Sequence, residues 1–322
     1  MSDAALNIPT LDEMRAAGNR LAPYIVRTPL LRLNVHDRSN AIYLKLENLQ
    51  AIGAFKIRPM GNALLSADKH ALQNGVYTAS SGNAGLGLAW MAQRLGIGAT
   101  VYVPDTGPTS KFEAIRKFGA RVCLVTTDQW WQIIENNGHA GESGYYVDGV
   151  NNRSAMAGNG TIGLEIVEQL PDVDTVIVPF GGGGVACGIA SAVKALKPGA
   201  RIVVAESEAA APATAAFREG RPVRVPMEPS FISGAGAPSV LMEMWPLVKR
   251  MVDRTVVVPV ADVAEAIRLL FEHNRVVAEG AGAVSLAGAL AGNVAGTATV
   301  CVITGGNIDR RIFCSILNRQ PL

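Results

Sequence analysis

Lys56 stands between Phe55 and Ile57 in an otherwise apolar turn. Lysine is seldom buried without a partner, and an amine held out of water has a lowered pKa and becomes a nucleophile able to form a Schiff base with an aldehyde cofactor. Standing alone, it would read as a snorkelling surface lysine. Three polar turns keep it company. Gly181, Gly182, Gly183 and Gly184 follow the apolar run 175–180 and open a predicted helix at Val185. Unhindered N–H groups and the positive end of a helix dipole converge there, an arrangement that cradles a phosphate. Ser80, Ser81, Gly82 and Asn83 end one predicted strand and open another helix. That turn suits a carboxylate, although Ser and Asn are also ordinary helix caps. Thr304, Gly305, Gly306 and Asn307 follow the last predicted strand and form the third.

The glycine run has a competing reading. Gly181, Gly183 and Ala186 satisfy the G-x-G-x-x-G/A dinucleotide fingerprint, and Glu206 lies where an acid about twenty residues on would hold a ribose. A nicotinamide-dependent dehydrogenase is therefore an alternative, but it leaves Lys56 without a task. A non-catalytic cofactor-binding protein is a second. No lysine follows the glycines, so a Walker A loop is absent.

Such turns need strands and helices to carry them. Short β-branched runs at 42–46, 75–79, 99–103, 122–125, 175–178, 201–205, 255–258 and 298–303 alternate with helical patterns at 58–69, 83–95, 111–118, 161–169, 185–196, 261–272 and 283–290. Alternation of this kind predicts an α/β fold on mostly parallel strands, in which ligands sit beyond the carboxyl ends of the strands. The stretch 138–160 is rich in Gly and Asn and weakly periodic, so it reads as a crossing between two lobes. The Trp130, Trp131 and His139 side chains read as packing and surface residues.

Composition narrows the function classes. The 322 residues are 49% hydrophobic and 17% charged, enough for a large core, with 34 Gly and 17 Pro spread along the chain. Net charge is only +2 and no like-charge block occurs, which argues against a nucleic-acid partner. Apolar runs fall far short of the roughly 20 residues a membrane span needs, and no secretory signal is evident. A cytoplasmic chain is expected. Four scattered Cys and four His predict neither a disulfide framework nor a zinc site.

Taken in order, these residues resemble the pyridoxal-phosphate-dependent serine/threonine dehydratase family, of tryptophan-synthase β fold. The likeness runs from about residue 27 to 309. Thr28-Pro29-Leu30 and Leu44-Lys45-Leu46-Glu47-Asn48-Leu49-Gln50 look like the family's opening, and Gly53-Ala54-Phe55-Lys56-Ile57-Arg58 like its Schiff-base motif. The resemblance implies two open, mostly parallel twisted sheets flanked by helices (fold type II). A large cofactor-binding domain would span 1–50 and 151–322, and a small substrate-side domain 51–150. It implies pyridoxal 5'-phosphate on Lys56, with Phe55 against the ring, Asn83 at the ring hydroxyl and Glu279 nearby. Gly181 to Gly184 would hold the phosphate and Thr304 would stand at the ring nitrogen. Ser80, Ser81, Gly82, Asn83 and Ala84 would meet the substrate, with Ser81 as acid/base opposite Lys56.

The implied activity is β-elimination of a 3-hydroxy amino acid to a 2-oxo acid and ammonia by a homodimer. A racemase of the same fold is the alternative within the family. A neutral hydroxyl at the ring nitrogen weakens the electron sink and favours prompt loss of the leaving group over transamination. Ala54 and Ala84 stand where the family usually has Ser and His, and Glu279-Gly280-Ala281-Gly282-Ala283-Val284 adds a likeness to hydroxyectoine-utilisation and phenylserine dehydratases. The smaller residues predict room for a bulky or extended substrate. Some relatives bind Mg or Ca through an acid at the position of Glu206, a carbonyl near Ala210, and an Asp. This chain has Pro212 at the third place, which leaves only part of a metal set.

Overall fold

The computed structural model describes residues 7–35, 41–80, 82–107, 109–291 and 296–321. Strands and helices are numbered in chain order. A six-stranded sheet contains β1 (Leu30–Arg32), β2 (Ala41–Lys45), β7 (Thr175–Pro179), β8 (Arg201–Ser207), β9 (Arg254–Val258) and β10 (Ala298–Val302), in the order β1-β2-β10-β7-β8-β9. All its pairs are parallel except β1 with β2. A wholly parallel four-stranded sheet, ordered β5-β4-β3-β6, holds β3 (Val76–Ala79), β4 (Ala99–Pro104), β5 (Arg121–Val125) and β6 (Tyr145–Tyr146). Every residue of β7 is buried. An unbroken apolar run is what a parallel strand covered on both faces requires.

The strand orders explain where ligands can bind. In the larger sheet the order reverses between β7 and β10, and in the smaller one β3 lies between β4 and β6. Crevices open at the carboxyl ends of strands at such switch points. The turns after β3, β7 and β10 are the three polar turns carrying Ser80 to Asn83, Gly181 to Gly184, and Thr304 to Asn307.

Four helices position the site: α2 (Ile57–Ser66), α3 (Asn83–Leu95), α7 (Gly184–Leu196) and α11 (Gly280–Leu290). Between the sheets runs α6 (Arg153–Gln169), packed on α2 and α7. It begins within the stretch expected to be an irregular crossing. Asn152 caps it by accepting from the Ala155 N–H at 2.9 Å, and ten of its residues are buried. Burial on nearly every face erases the amphipathic period, and glycines serve close packing instead. A Cβ on Gly163 would lie 2.7 Å from the Ile189 carbonyl oxygen of α7. Five further helices lacked a predicted counterpart: α1 (Leu11–Leu21), α5 (Thr127–Glu135), α8 (Pro212–Glu219), α9 (Trp245–Met251) and α12 (Arg310–Leu317). The remaining two are α4 (Thr109–Lys117) and α10 (Val260–Asn274). Trp131 is buried, and the His139 ring packs on Tyr102 with centroids 4.8 Å apart.

Candidate active site

Lys56 is the residue before α2, in helical backbone geometry, and Pro59 occupies the helix's first turn, where a missing N–H costs nothing. The turn is held from the other side of the crevice. Phe55 N–H donates to the Thr304 carbonyl at 2.9 Å, Gly306 N–H to the Gly53 carbonyl at 2.9 Å, and Ala54 pairs with Gly305. Short backbone pairing thus ties the lysine turn to the turn after β10. Gly53 has φ +70°, and a Cβ there would lie 2.5 Å from the Asn307 side chain, so only glycine closes this join.

The Lys56 ammonium lies 4.9 Å from the centroid of the buried Phe55 ring. It remains partly accessible, yet enough protein surrounds it that burial pushes its pKa down to about 8, against the charge of Asp148, which raises it. An amine of this kind is neutral in useful amounts near physiological pH. Asp148 accepts from Val150 N–H at 2.7 Å and Asn151 N–H at 3.1 Å, while burial raises its own pKa. Its loop lies against the glycine turn. A Cβ on Gly182 would meet Val150 methyls at 2.8 Å, and one on Gly184 the Val150 carbonyl at 2.7 Å. Gly183, at φ +93°, caps α7 without a side chain. The orphan N–H groups of that helix are therefore open to an anion.

Asn83 opens α3 and is fixed from two sides. Its amide N–H donates to Glu279, and its carbonyl accepts from the Asn307 amide at 2.9 Å, which also donates to the Ile52 carbonyl at 2.9 Å. Glu279 precedes α11 and is 4% exposed. Burial pushes its carboxyl pKa up, while the nearby Lys111 and Asn83 hold it down. Thr304 is buried, its hydroxyl 3.4 Å from the Ala281 carbonyl. Ser80 accepts from Gly82 N–H at 3.1 Å. Ser81 lies outside the described residues.

A cavity of about 260 Å³ opens beside Asn83, lined by Gly82, Leu86, Lys111, Phe231 and Glu279 among others. Neither Ala54 nor Ala84 borders it. Ala54 is fully buried in its pairing with Gly305, and Ala84 packs against the apolar cluster around α3. Trp245 lies in the core of the larger sheet.

Glu206 is turned to the start of α8. Its carboxylate accepts from Ala213 N–H at 2.7 Å, Thr214 N–H at 2.8 Å and the Thr214 hydroxyl at 2.7 Å, and so caps α8. With both Glu206 oxygens engaged by donors and Pro212 carrying no side-chain oxygen, this corner lacks the ligands a divalent cation needs. Among the described residues no group of three or more His, Cys, Asp or Glu could hold one.

Nothing in the sequence pattern assigns a role to Lys111, Asp148 or Asn307. Asn307 closes a singled-out turn, so its place was signalled. Lys111 looked like any helix-surface cation and Asp148 like any loop acid.

A family model described as pyridoxal-phosphate dependent enzyme matches residues 21–306. The chain is 36% identical over 313 residues to an L-threonine ammonia-lyase of Geobacter sulfurreducens, covering 95% of this chain and 77% of that protein. It is 37% identical over 319 residues to an L-threonine ammonia-lyase of Thermotoga maritima, covering 96% and 78%. Among solved structures, maize serine racemase superposes with a TM-score of 0.86 at 29% identity, covering 97% of both chains. A T.th. threonine deaminase superposes with a TM-score of 0.85 at 32% identity, covering 94% of this chain and 99% of that one. The residues in the crevice fit pyridoxal phosphate. An enclosed amine of lowered pKa suits the aldehyde, the uncapped α7 the phosphate, and the buried Thr304 hydroxyl a ring nitrogen.

Proposed function

We propose, for a chain that belongs to the pyridoxal-phosphate dependent enzymes and within them to the serine/threonine dehydratase family, β-elimination of a 3-hydroxy amino acid to a 2-oxo acid and ammonia. The observation that carries this reading is Lys56, with its pKa lowered by burial, in a turn paired with the turn after β10 and near Asp148, whose loop lies against the glycine turn. The cofactor supplies an aldehyde and an electron-withdrawing ring that acidifies the substrate Cα–H. The chain's residues do the rest. Lys56 would hold the cofactor and, once the substrate's amino group has displaced it, would take the Cα proton on its freed, neutral amine. Ser81 protonates the departing hydroxyl on the opposite face. Asn83, held by Glu279 and Asn307, orients the ring, Phe55 packs beside it, and the backbone N–H groups of Gly181 to Gly184 bind the phosphate. Ser80, Gly82 and Ala84 line the substrate turn. Borohydride reduction of the holoprotein followed by peptide mass spectrometry should place the cofactor on Lys56; label on another lysine overturns the assignment.

Ser81→Ala should retain bound cofactor and lose elimination by about two to four orders of magnitude, the usual weight of a general acid/base. Near-normal turnover would reduce Ser81 to a helix-end residue. Racemisation is the second reading, favoured by the serine racemase likeness. Chiral chromatography of recovered substrate tests it.

A bulky or extended β-substituent is part of the proposal, supported now by the cavity walls Leu86, Phe231 and Ile312 rather than by Ala54 and Ala84. An unfilled methylene-sized gap costs a small substrate about 1–3 kcal/mol. Phenylserine should therefore exceed serine and threonine in kcat/KM. Preference for serine or threonine over every larger substrate would sink the extension and leave elimination standing. A homodimer, implied by the family resemblance, is part of the proposal, and sedimentation tests it. Division into 1–50 with 151–322 and 51–150, and a cytoplasmic location, complete the proposal. No described helix is long and apolar enough to cross a membrane.

A further inference from the structure

We propose that Glu206 is a positioning residue for the cofactor's phosphate turn: its carboxylate, engaged by the N-terminus of α8, fixes the corner on which the segment over the glycine turn is seated. The inference rests on the assignment of the phosphate to Gly181 to Gly184. It gives the protein's own donors the place that the resemblance would give to a divalent cation. Glu206 lies near the end of β8 and is 1% exposed. The residue before α8, Ala211, offers no side-chain acceptor, and Pro212 at the start of the helix has no N–H to satisfy. The Ala213 N–H, the Thr214 N–H and the Thr214 hydroxyl therefore reach back to Glu206, at 2.7, 2.8 and 2.7 Å. A carboxylate in that place also meets the positive end of the helix dipole.

Capping a helix from the strand before it makes the chain between them turn back on itself. Ala210 N–H donates to the Ser207 carbonyl at 3.1 Å, and the two residues pair. The segment 228–236 is seated on this corner at two points. Glu228 N–H donates to the Ala209 carbonyl at 2.8 Å, and a Cβ on Gly236 would lie 3.0 Å from the Ala210 Cβ. Gly236, at φ +118°, takes a backbone conformation open to glycine. Its N–H donates at 2.9 Å to the carbonyl of Phe180, the residue before the glycine turn. Two residues earlier, the Gly234 carbonyl oxygen would lie 3.1 Å from a Cβ on Gly181.

The same segment shapes the cavity. Phe231 and Ser233 line it, and a Cβ on Gly280 would lie 2.9 Å from Ile232 Cα, so the segment also packs on the start of α11, which Glu279 precedes. Glu206 is thus linked to the phosphate turn by backbone bonds and close backbone contacts, which have no side chain to absorb a shift. Take away its charge and the first N–H groups of α8 lose their acceptor. The corner is then free to move, and Gly234 and Gly236 move with it against Phe180 and Gly181.

The test reads the cofactor absorbance of holoenzyme dialysed against falling concentrations of pyridoxal 5'-phosphate, and of protein loaded with pyridoxal, the same aldehyde without the phosphate. Glu206→Gln removes the charge and sets an amide against N–H donors. The dissociation constant of pyridoxal 5'-phosphate should rise about 10–100-fold, the weight of hydrogen bonds to a charged group, while that of pyridoxal stays within about twofold. Thr214→Val keeps the shape and removes one donor; it should raise the first constant about two- to tenfold, and it carries the test if Glu206→Gln does not fold. Equal weakening of both ligands, or no weakening of either, would overturn the proposal, the former by making Glu206 a stabiliser of the whole lobe. The Ser207 hydroxyl in the same corner is buried without a partner, so a seated cation is the rival account. Wild-type affinity should be the same in EDTA as in excess Mg or Ca, and a loss in EDTA that either ion restores would overturn the internal cap. The phosphate assignment fails separately: wild-type protein that holds pyridoxal as tightly as its phosphate ester has no phosphate turn to position. Turnover enters none of these readings, so failure of elimination leaves the proposal standing.

Discussion

Replacing Lys56 with alanine is expected to remove covalent cofactor retention and to lower turnover by at least about two to four orders of magnitude, the loss of a positioned acid/base alone. Lys45 cannot step in. Lys45, the nearest in kind, is fully buried and donates to the Thr28 carbonyl at 2.8 Å, Glu165 at 2.5 Å and Gln169 at 2.8 Å, which holds it in a structural network. The covalent step needs a neutral amine, so cofactor uptake by stripped protein should rise with pH and level off above about 8, where Lys56 has lost its proton. Asp148 stabilises the protonated form. Asp148→Asn should therefore move the inflection to lower pH, and an unchanged inflection would remove Asp148 as the electrostatic partner. Absorption spectra and borohydride labelling read the outcome; a Lys56→Ala protein that keeps reducible cofactor on another lysine ends the assignment.

Arg58→Met is expected to cost about 3–5 kcal/mol of folding stability, the usual penalty for stranding a buried charge. The Arg58 guanidinium is fully buried and donates to Glu47 twice at 2.8 Å, to Glu165 at 2.7 and 3.0 Å, and to Thr161 at 2.9 Å. Glu47 is fully buried as well and accepts from the Thr28 hydroxyl at 2.6 Å. Burial pushes the Glu47 carboxyl pKa up, but Arg58 beside it wins and holds it below the ordinary value. Its stabilisation is thus present above the unfolded pKa and is lost as pH falls through the lower folded one. Because Arg58 lies in the first turn of α2, this network also anchors the backbone that presents Lys56. Adding Glu47→Gln to Arg58→Met should recover part of the loss by removing the stranded charge. Urea unfolding checks both, and a single-variant cost below about 1 kcal/mol would show that water or rearrangement satisfies Glu47.

Much of the fold was legible because its signals are local. The eight predicted strands match β2, β3, β4, β5, β7, β8, β9 and β10 within two residues at each end, since β-branched runs bounded by glycine turns need no distant partner to be recognised. The three-residue β1 and two-residue β6 are too short for any periodic signal. In α11, ten of eleven residues are buried, and in α6 glycines stand where apolar residues would mark a face, so the sequence pattern places their starts three and eight residues late.

The site divides in the same way. Lys56 in its apolar turn, the four glycines before α7 and Ser80 to Asn83 before α3 are each contained in a few consecutive residues, and their chemistry follows from residue type and backbone setting. Partnership does not. Asn83 meets Glu279 across 196 positions and Asn307 across 224, and Lys111 reaches Ser233 across 122. Spacing along the chain carries no information about such pairs, because they form only when the turns of two sheets face one crevice. Glu206 shows the converse: its sequence position fits a ribose acid or a metal ligand, but the first turn of α8 folds over it and takes both oxygens. The sequence by itself therefore determined which turns could bind an aldehyde, a phosphate and a carboxylate. Tertiary structure decided which charges stand beside them and which carboxylates are already spent, since a side chain's hydrogen-bonding capacity is consumed by whatever the fold brings within about 3 Å.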